Sequence, residues 1–168
     1  LMKNKTSHNS QKLIIYELNE VPKKILNEYI RLFPKSALSD ICSNGTLIET
    51  YTLDEGELHP WSTWPTLHRG VTNKYHNIKY INQDLEKVNN QYPPVWDLLE
   101  KNNIDIGIFG SLQSFPPREG ENVKFYLPDT FAPSAKSFPS ELEKFQRFNL
   151  KLAGDNKAIS RKIDLKSF

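Results

Sequence analysis

Apolar residues come in two rhythms along this chain. KLIIYEL at 12–18 and IDIGIFG at 104–110 are short and nearly continuous, and TLIETYTL at 46–53 is rich in β-branched residues. Runs of this length and makeup predict strands, the continuous ones covered on both faces of a parallel sheet. The second rhythm is helical. Ile25, Leu26, Tyr29, Ile30 and Phe33 recur at helix spacing behind Pro22, a residue suited to a first helical turn. SALSDIC predicts a second helix, closed by a left-handed Gly45. PPVWDLLEKNN puts Val95, Leu98 and Leu99 on one face, and a last helix carries Leu142, Phe145, Phe148 and Leu152 behind a Ser140–Glu143 capping box.

Strands alternating with helices predict an α/β fold: a mostly parallel sheet flanked by helices, with ligands beyond the carboxyl ends of the strands. FYLP predicts a short strand at 125–127 within a proline-rich stretch, 111–139, expected at the surface. The charged ELEKFQR segment reads as a solvated helix face. Residues 1–11 are expected to be disordered, 12–153 to form a partial α/β domain, and 154–168 to be a flexible tail.

Composition narrows the function classes. With 22 basic and 20 acidic residues in 168, the net charge of +2 offers no electrostatic footprint for nucleic acid or anionic lipid. No run approaches a membrane span and residues 1–12 lack a signal-peptide core, so a cytoplasmic location is expected. Cys42 is alone, which excludes an internal disulfide and suits an inert buried thiol. The Gly107–Gly110 pair lacks the lysine and spacing of a phosphate loop, and no Gly-x-Ser-x-Gly elbow exists.

The chemistry concentrates after the expected strands. Glu17 closes the first, and LDEGELHPWSTWP follows the second, which would bring Asp54, Glu55, Glu57, His59, Ser62 and Thr63 to the same sheet edge. Thr63 stands two residues before Pro65, at the mouth of a helix expected to start there, where free N–H groups and the positive dipole end favour an anion. A hydroxyl needs a base or a metal to become a nucleophile. The same spacing also describes an ordinary helix N-cap, and Trp61 and Trp64 can equally be packing residues.

Glu17 ending an apolar strand, Thr63-Trp64-Pro65, and Gly70-Val71-Thr72-Asn73-Lys74-Tyr75-His76-Asn77-Ile78 together resemble the amino-terminal portion of the alkaline phosphatase superfamily. The branch of type I phosphodiesterases and nucleotide pyrophosphatases is the most similar. There, an acidic metal ligand ends the first strand, a Thr-aromatic-Pro turn supplies the nucleophile, and a helix leads to Gly-x-Tyr-Pro-x-x-His-Gly-Ile. This chain departs in having Glu17 where the family has Asp followed by Gly, in a helix three residues shorter, and in Asn77 after the histidine.

The resemblance implies an alkaline-phosphatase-like sandwich in which Thr63 is the nucleophile, Glu17 and Thr63 bind metal, and Asn82 holds a phosphoryl oxygen. The family's two-zinc site takes most of its remaining ligands from Asp-x-x-x-His and Asp-His pairs in the carboxyl-terminal half. Those pairs are absent from this sequence. His68 and His76 read as packed, and His59 beside Glu57 is the one histidine placed to ligate. The expectation is therefore an incomplete fold, lacking the carboxyl-terminal half. It would be the amino-terminal part of a zinc-dependent phosphodiesterase or phosphatase acting on a small phosphoester, or a divergent relative without catalysis. Alone it would be inactive and would self-associate through exposed core surface. The alternative class is a noncatalytic α/β binding or assembly module that docks through an exposed Trp61–Trp64 pair.

Overall fold

Pro22, whose ring holds φ at −66°, sets the entry to the first helix, α1 (Lys23–Leu32). The helix forms where its periodicity predicts, yet none of its residues is buried, and Tyr29 packs on Phe33 with ring centroids 5.0 Å apart. The second helix, α2 (Ala37–Asn44), is capped by Ser36, whose Oγ accepts from the Ser39 amide. Gly45 ends α2 in an extended rather than a left-handed conformation (φ −99°, ψ −171°). Glycine is required there by space, since a Cβ would stand 2.8 Å from the Ile41 carbonyl oxygen. Cys42, in α2, is half-buried.

The protein is described here by a computed structural model that covers residues 12–81 and 83–154. It divides into two units, Leu1–Ile48 and Glu49–Phe168. Segments 12–18 and 46–53 are not strands. They lie in no regular element, and Leu13, Ile14, Tyr16, Ile48 and Tyr51 are exposed. A strand exists only through the ladder of a neighbour, and among the described residues neither segment has one. The expected start 1–11 lies outside the described residues, as does the expected tail 154–168 except for Gly154, which ends the last helix.

The second unit holds the core. Helices α3 (Pro60–Arg69), α4 (Asn73–His76), α5 (Glu86–Gln91) and α6 (Val95–Lys101) precede strand β1 (Ile106–Phe109). After β2 (Val123–Leu127), a 3-10 turn at Ser140–Leu142 leads into α7 (Glu143–Gly154). The two strands pair in parallel, Ile106 opposite Val123 and Phe109 opposite Leu127. The protein is thus a mixed α/β structure with helices and a small two-stranded parallel sheet. Trp96, Ile106, Val123 and Tyr126 form the core, with Leu99, Ile108 and Phe138 packed on it.

Three expectations are corrected. Helix α6 turns Trp96 and Asp97 inward, while Val95 and Leu98 are exposed. A buried Asp97 is tolerated because Arg118 pairs with it, Nη2 to Oδ2 at 2.8 Å and Nε to Oδ1 at 3.3 Å. Stretch 111–139 is not a surface loop. It contains β2 and buries Gln113, Ser114, Asp129, Ala132 and Ser137. Most of its buried polar groups find partners within the fold: Tyr126 Oη donates to the Ser114 carbonyl (2.8 Å), and burial pushes the Tyr126 phenol up, while the Ser114 hydroxyl is buried without a partner among the described residues. Along ELEKFQR, Glu141, Lys144 and Arg147 are exposed as a solvated face requires, but Gln146 is wholly buried and donates to the Asp129 carbonyl at 2.9 Å.

Candidate functional site

The stretch 54–78 is organised around α3. Its helix begins at Pro60, five residues earlier than expected, with His59 as N-cap in extended conformation. Pro60 fits the first position, where an N–H would have no helical partner. Thr63 consequently lies one turn into the helix and not at its mouth. Its Oγ1 donates to the His59 carbonyl at 3.1 Å, and the residue is half-buried. Ser62, the rival nucleophile, is buried, and its hydroxyl is likewise turned onto the His59 carbonyl (3.0 Å). Of these two hydroxyls, Thr63 is the more accessible.

Pro65 lies inside the helix and has no N–H for the Trp61 carbonyl four residues back. A side chain from the loop after β1 meets that carbonyl: Gln113 Nε2 donates to the Trp61 oxygen at 3.3 Å and to the Tyr80 oxygen at 2.8 Å. Gln113 adopts a left-handed φ of 62°, and its own amide donates to Asp129 Oδ2 at 3.0 Å. The α3 segment is thereby tied to the carboxyl ends of both strands.

Sequence reasoning missed the residue that does most to organise this region, Thr66. Its hydroxyl donates to Asp54, 2.8 Å from each carboxylate oxygen, and meets His76 Nε2 at 2.9 Å. The tautomer follows from the other ring nitrogen. His76 Nδ1 accepts from the Ile78 amide at 3.0 Å, so Nε2 carries the proton and donates to Thr66. Asp54 also accepts from the Asn73 amide at 2.7 Å. Burial pushes the His76 imidazole below its ordinary value; Asp54 pulls the other way, and Arg69 adds to the lowering. The signal available in sequence was Thr66 following Thr63 by three residues, which places both on adjacent turns of one helix.

The Gly70–Ile78 segment takes a definite shape. Gly70 closes α3 at φ 66°, α4 follows, and Asn77 closes it at φ 52°, with His76 and Ile78 buried on either side. Asparagine is among the few residues that adopt this conformation readily in place of glycine. Arg69 belongs to the scaffold: its guanidinium donates to the Tyr92 carbonyl and Asn89 Oδ1, and burial lowers its pKa to about 10.

His68 is packed as expected, stacked on Trp64 (5.9 Å) and tilted against Trp96 (5.0 Å). His59 stacks on Trp61 at 4.6 Å, with Nε2 3.7 Å from Glu57. Trp61 and Trp64 are half-buried and engaged within their own unit, Trp61 Nε1 donating to the Lys79 carbonyl at 3.0 Å. A docking pair exposed together, as the binding-module alternative expects, is not what these side chains make.

Glu17, half-buried, belongs to the first unit and Thr63 to the second, and Asn82 lies outside the described residues. Among the described residues, no group of three His, Cys, Asp or Glu side chains converges to hold a metal ion. The donors described do not by themselves fit a two-zinc cage, which takes about four ligands per ion. No family model, no curated protein and no solved structure matches the chain.

Proposed function

We propose that the chain is the amino-terminal part of a metal-dependent phosphoester hydrolase of alkaline-phosphatase type, with Thr63 as nucleophile. Glu17 and Thr63 are its share of the metal ligands, zinc being the expected ion, and Asn82 its contact to a phosphoryl oxygen. The observation that carries this reading is the conformation of Gly70–Ile78. The position after His76 is left-handed at φ 52°, so the family's glycine has a physical reason there, and Asn77 is the substitution such a position accepts. The accessibility of Thr63 relative to Ser62 points the same way.

In the reaction, Thr63 Oγ forms a bond to phosphorus as the ester P–O bond breaks; the hydroxyl gives its proton to solvent, and the departing alkoxide takes one up from solvent. Water then cleaves the phosphothreonine, releasing phosphate or its monoester and restoring the hydroxyl. Thr63 first gives up its hydrogen bond to the His59 carbonyl. A metal, when bound, supplies charge neutralisation at the phosphoryl oxygens; the ligands beyond Glu17 and Thr63 come from outside the described residues. Exposed Leu13, Ile14 and Tyr16 form surface through which copies would self-associate.

The test is hydrolysis of bis(p-nitrophenyl) phosphate by the longest expressible protein containing this sequence, with added zinc. Thr63→Ala is expected to lower the rate by about a thousandfold or more. A folded Thr63→Ala protein with an unchanged rate overturns the assignment.

A further inference from the structure

Two loops leave the same edge of the parallel pair: 110–116 after β1 and 128–133 after β2. Ligands of parallel α/β sheets bind beyond this edge, where successive loops splay apart. A cavity of about 210 Å³ opens there, lined by Leu112, Gln113 and Phe115 from the first loop and Asp129 and Ala132 from the second. Leu85 and Asp84, just before α5, form the opposite wall. Its volume suits a ligand smaller than a drug-sized molecule.

The charge of the lining is one-sided. Asp84 and Asp129 both face the cavity, and among the described residues no lysine, arginine or histidine lines it. Asp129 is only 5% exposed, and its carboxylate is held in place by the Gln113 amide on Oδ2 (3.0 Å) and the Phe131 amide on Oδ1 (2.8 Å). A carboxylate taken out of water gains most from a cation brought into the same low-dielectric space. An anion such as phosphate meets two like charges here. Phe115 adds an aromatic surface and Leu85 and Leu112 an aliphatic one.

We propose that this cavity binds a small primary alkylammonium group, its nitrogen at Asp129 and its hydrocarbon chain against Leu85, Leu112 and Phe115. Asp84 at the exposed rim draws the cation in. The residues named for this site are not those assigned to the phosphoester reaction.

The test is isothermal titration of the full chain with n-butylammonium chloride, n-butanol and sodium butyrate. Butylammonium is expected to bind saturably, about tenfold more tightly than butanol, with butyrate not binding. Asp129→Asn removes the preference for the cation over the alcohol. Because Asp129 also anchors two amides, Ala132→Leu and Asp84→Asn provide independent variants, each checked for folding by tryptophan fluorescence. Ala132→Leu fills the cavity and abolishes binding; Asp84→Asn weakens the cation about threefold and leaves butanol unchanged. Equal binding of butanol and butylammonium, binding that survives Ala132→Leu in a folded protein, or absence of binding by all three probes overturns the proposal.

Discussion

Thr66→Val keeps the shape of the side chain and removes one hydroxyl, which makes two hydrogen bonds. The bond to Asp54 has a charged acceptor, worth about 1.5–3 kcal/mol, and its loss leaves the buried His76 Nε2 proton without a partner, costing about 1–3 kcal/mol more. Thr66 is half-buried, so water reaches part of the gap and the sum contracts to ~2–4 kcal/mol. All three tryptophans, Trp61, Trp64 and Trp96, lie in the second unit, so their fluorescence in urea follows that unit. At a slope of about 2 kcal/mol/M the midpoint falls by about 1–2 M. The double-mutant cycle with His76→Phe separates the two bonds: in that background Thr66→Val costs less, with a coupling of about 1 kcal/mol or more. A loss below about 0.5 kcal/mol, or strict additivity in the cycle, would show that the Asp54–Thr66–His76 chain does not hold the segment together.

Other expectations follow from the same coordinates. Asn77→Ala, with φ at 52°, destabilises by about 1–2 kcal/mol, whereas Asn77→Gly is neutral to slightly stabilising; urea melts of the two variants decide it. His76 has its folded pKa below the ordinary 6.5, so the unfolded chain binds a proton that the folded one refuses. Stability is full above about pH 6.5 and declines as pH falls toward the folded value, and His76→Gln flattens that part of the curve. Gln146→Leu leaves the buried Asp129 carbonyl without its donor and costs about 1–3 kcal/mol, read by the same fluorescence melt.

Much of the fold is visible in local pattern. The helical spacing of 23–33 and the SALSDIC segment mark α1 and α2 to within a residue or two, and IDIGIFG and FYLP contain β1 and the end of β2. Local pattern stops where a neighbour decides. KLIIYEL and TLIETYTL have strand composition, but a ladder needs a second chain segment, and none pairs with them among the described residues. The inward face of α6 depends on Arg118, some twenty positions downstream, which makes a buried Asp97 affordable. Stretch 111–139 reads as surface because its prolines and polar residues lack a period. Its burial rests on particular partners, Asp129 for the Gln113 amide and Gln146 for the Asp129 carbonyl. At the candidate site, the sequence points to Thr63 and the Gly70–Ile78 segment only through a resemblance. It does not point to Thr66, because the importance of that residue comes from Asp54 and His76 meeting on it in space. The early helix start was hidden by two prolines five residues apart, either of which can open a helix. The structure uses Pro60, and Gln113 meets the carbonyl that Pro65 cannot.

The covalent intermediate is the most direct test of the proposed chemistry. The longest expressible protein containing this sequence is mixed with zinc and a phosphomonoester, quenched in acid during turnover, digested, and its peptides are sequenced by mass spectrometry. The account predicts one phosphoryl group on Thr63 of the HPWSTWPTLHR segment and none on that segment in Thr63→Ala. A phosphoryl group on Ser62 or Thr66 instead, or turnover with no labelled hydroxyl in α3, would contradict it.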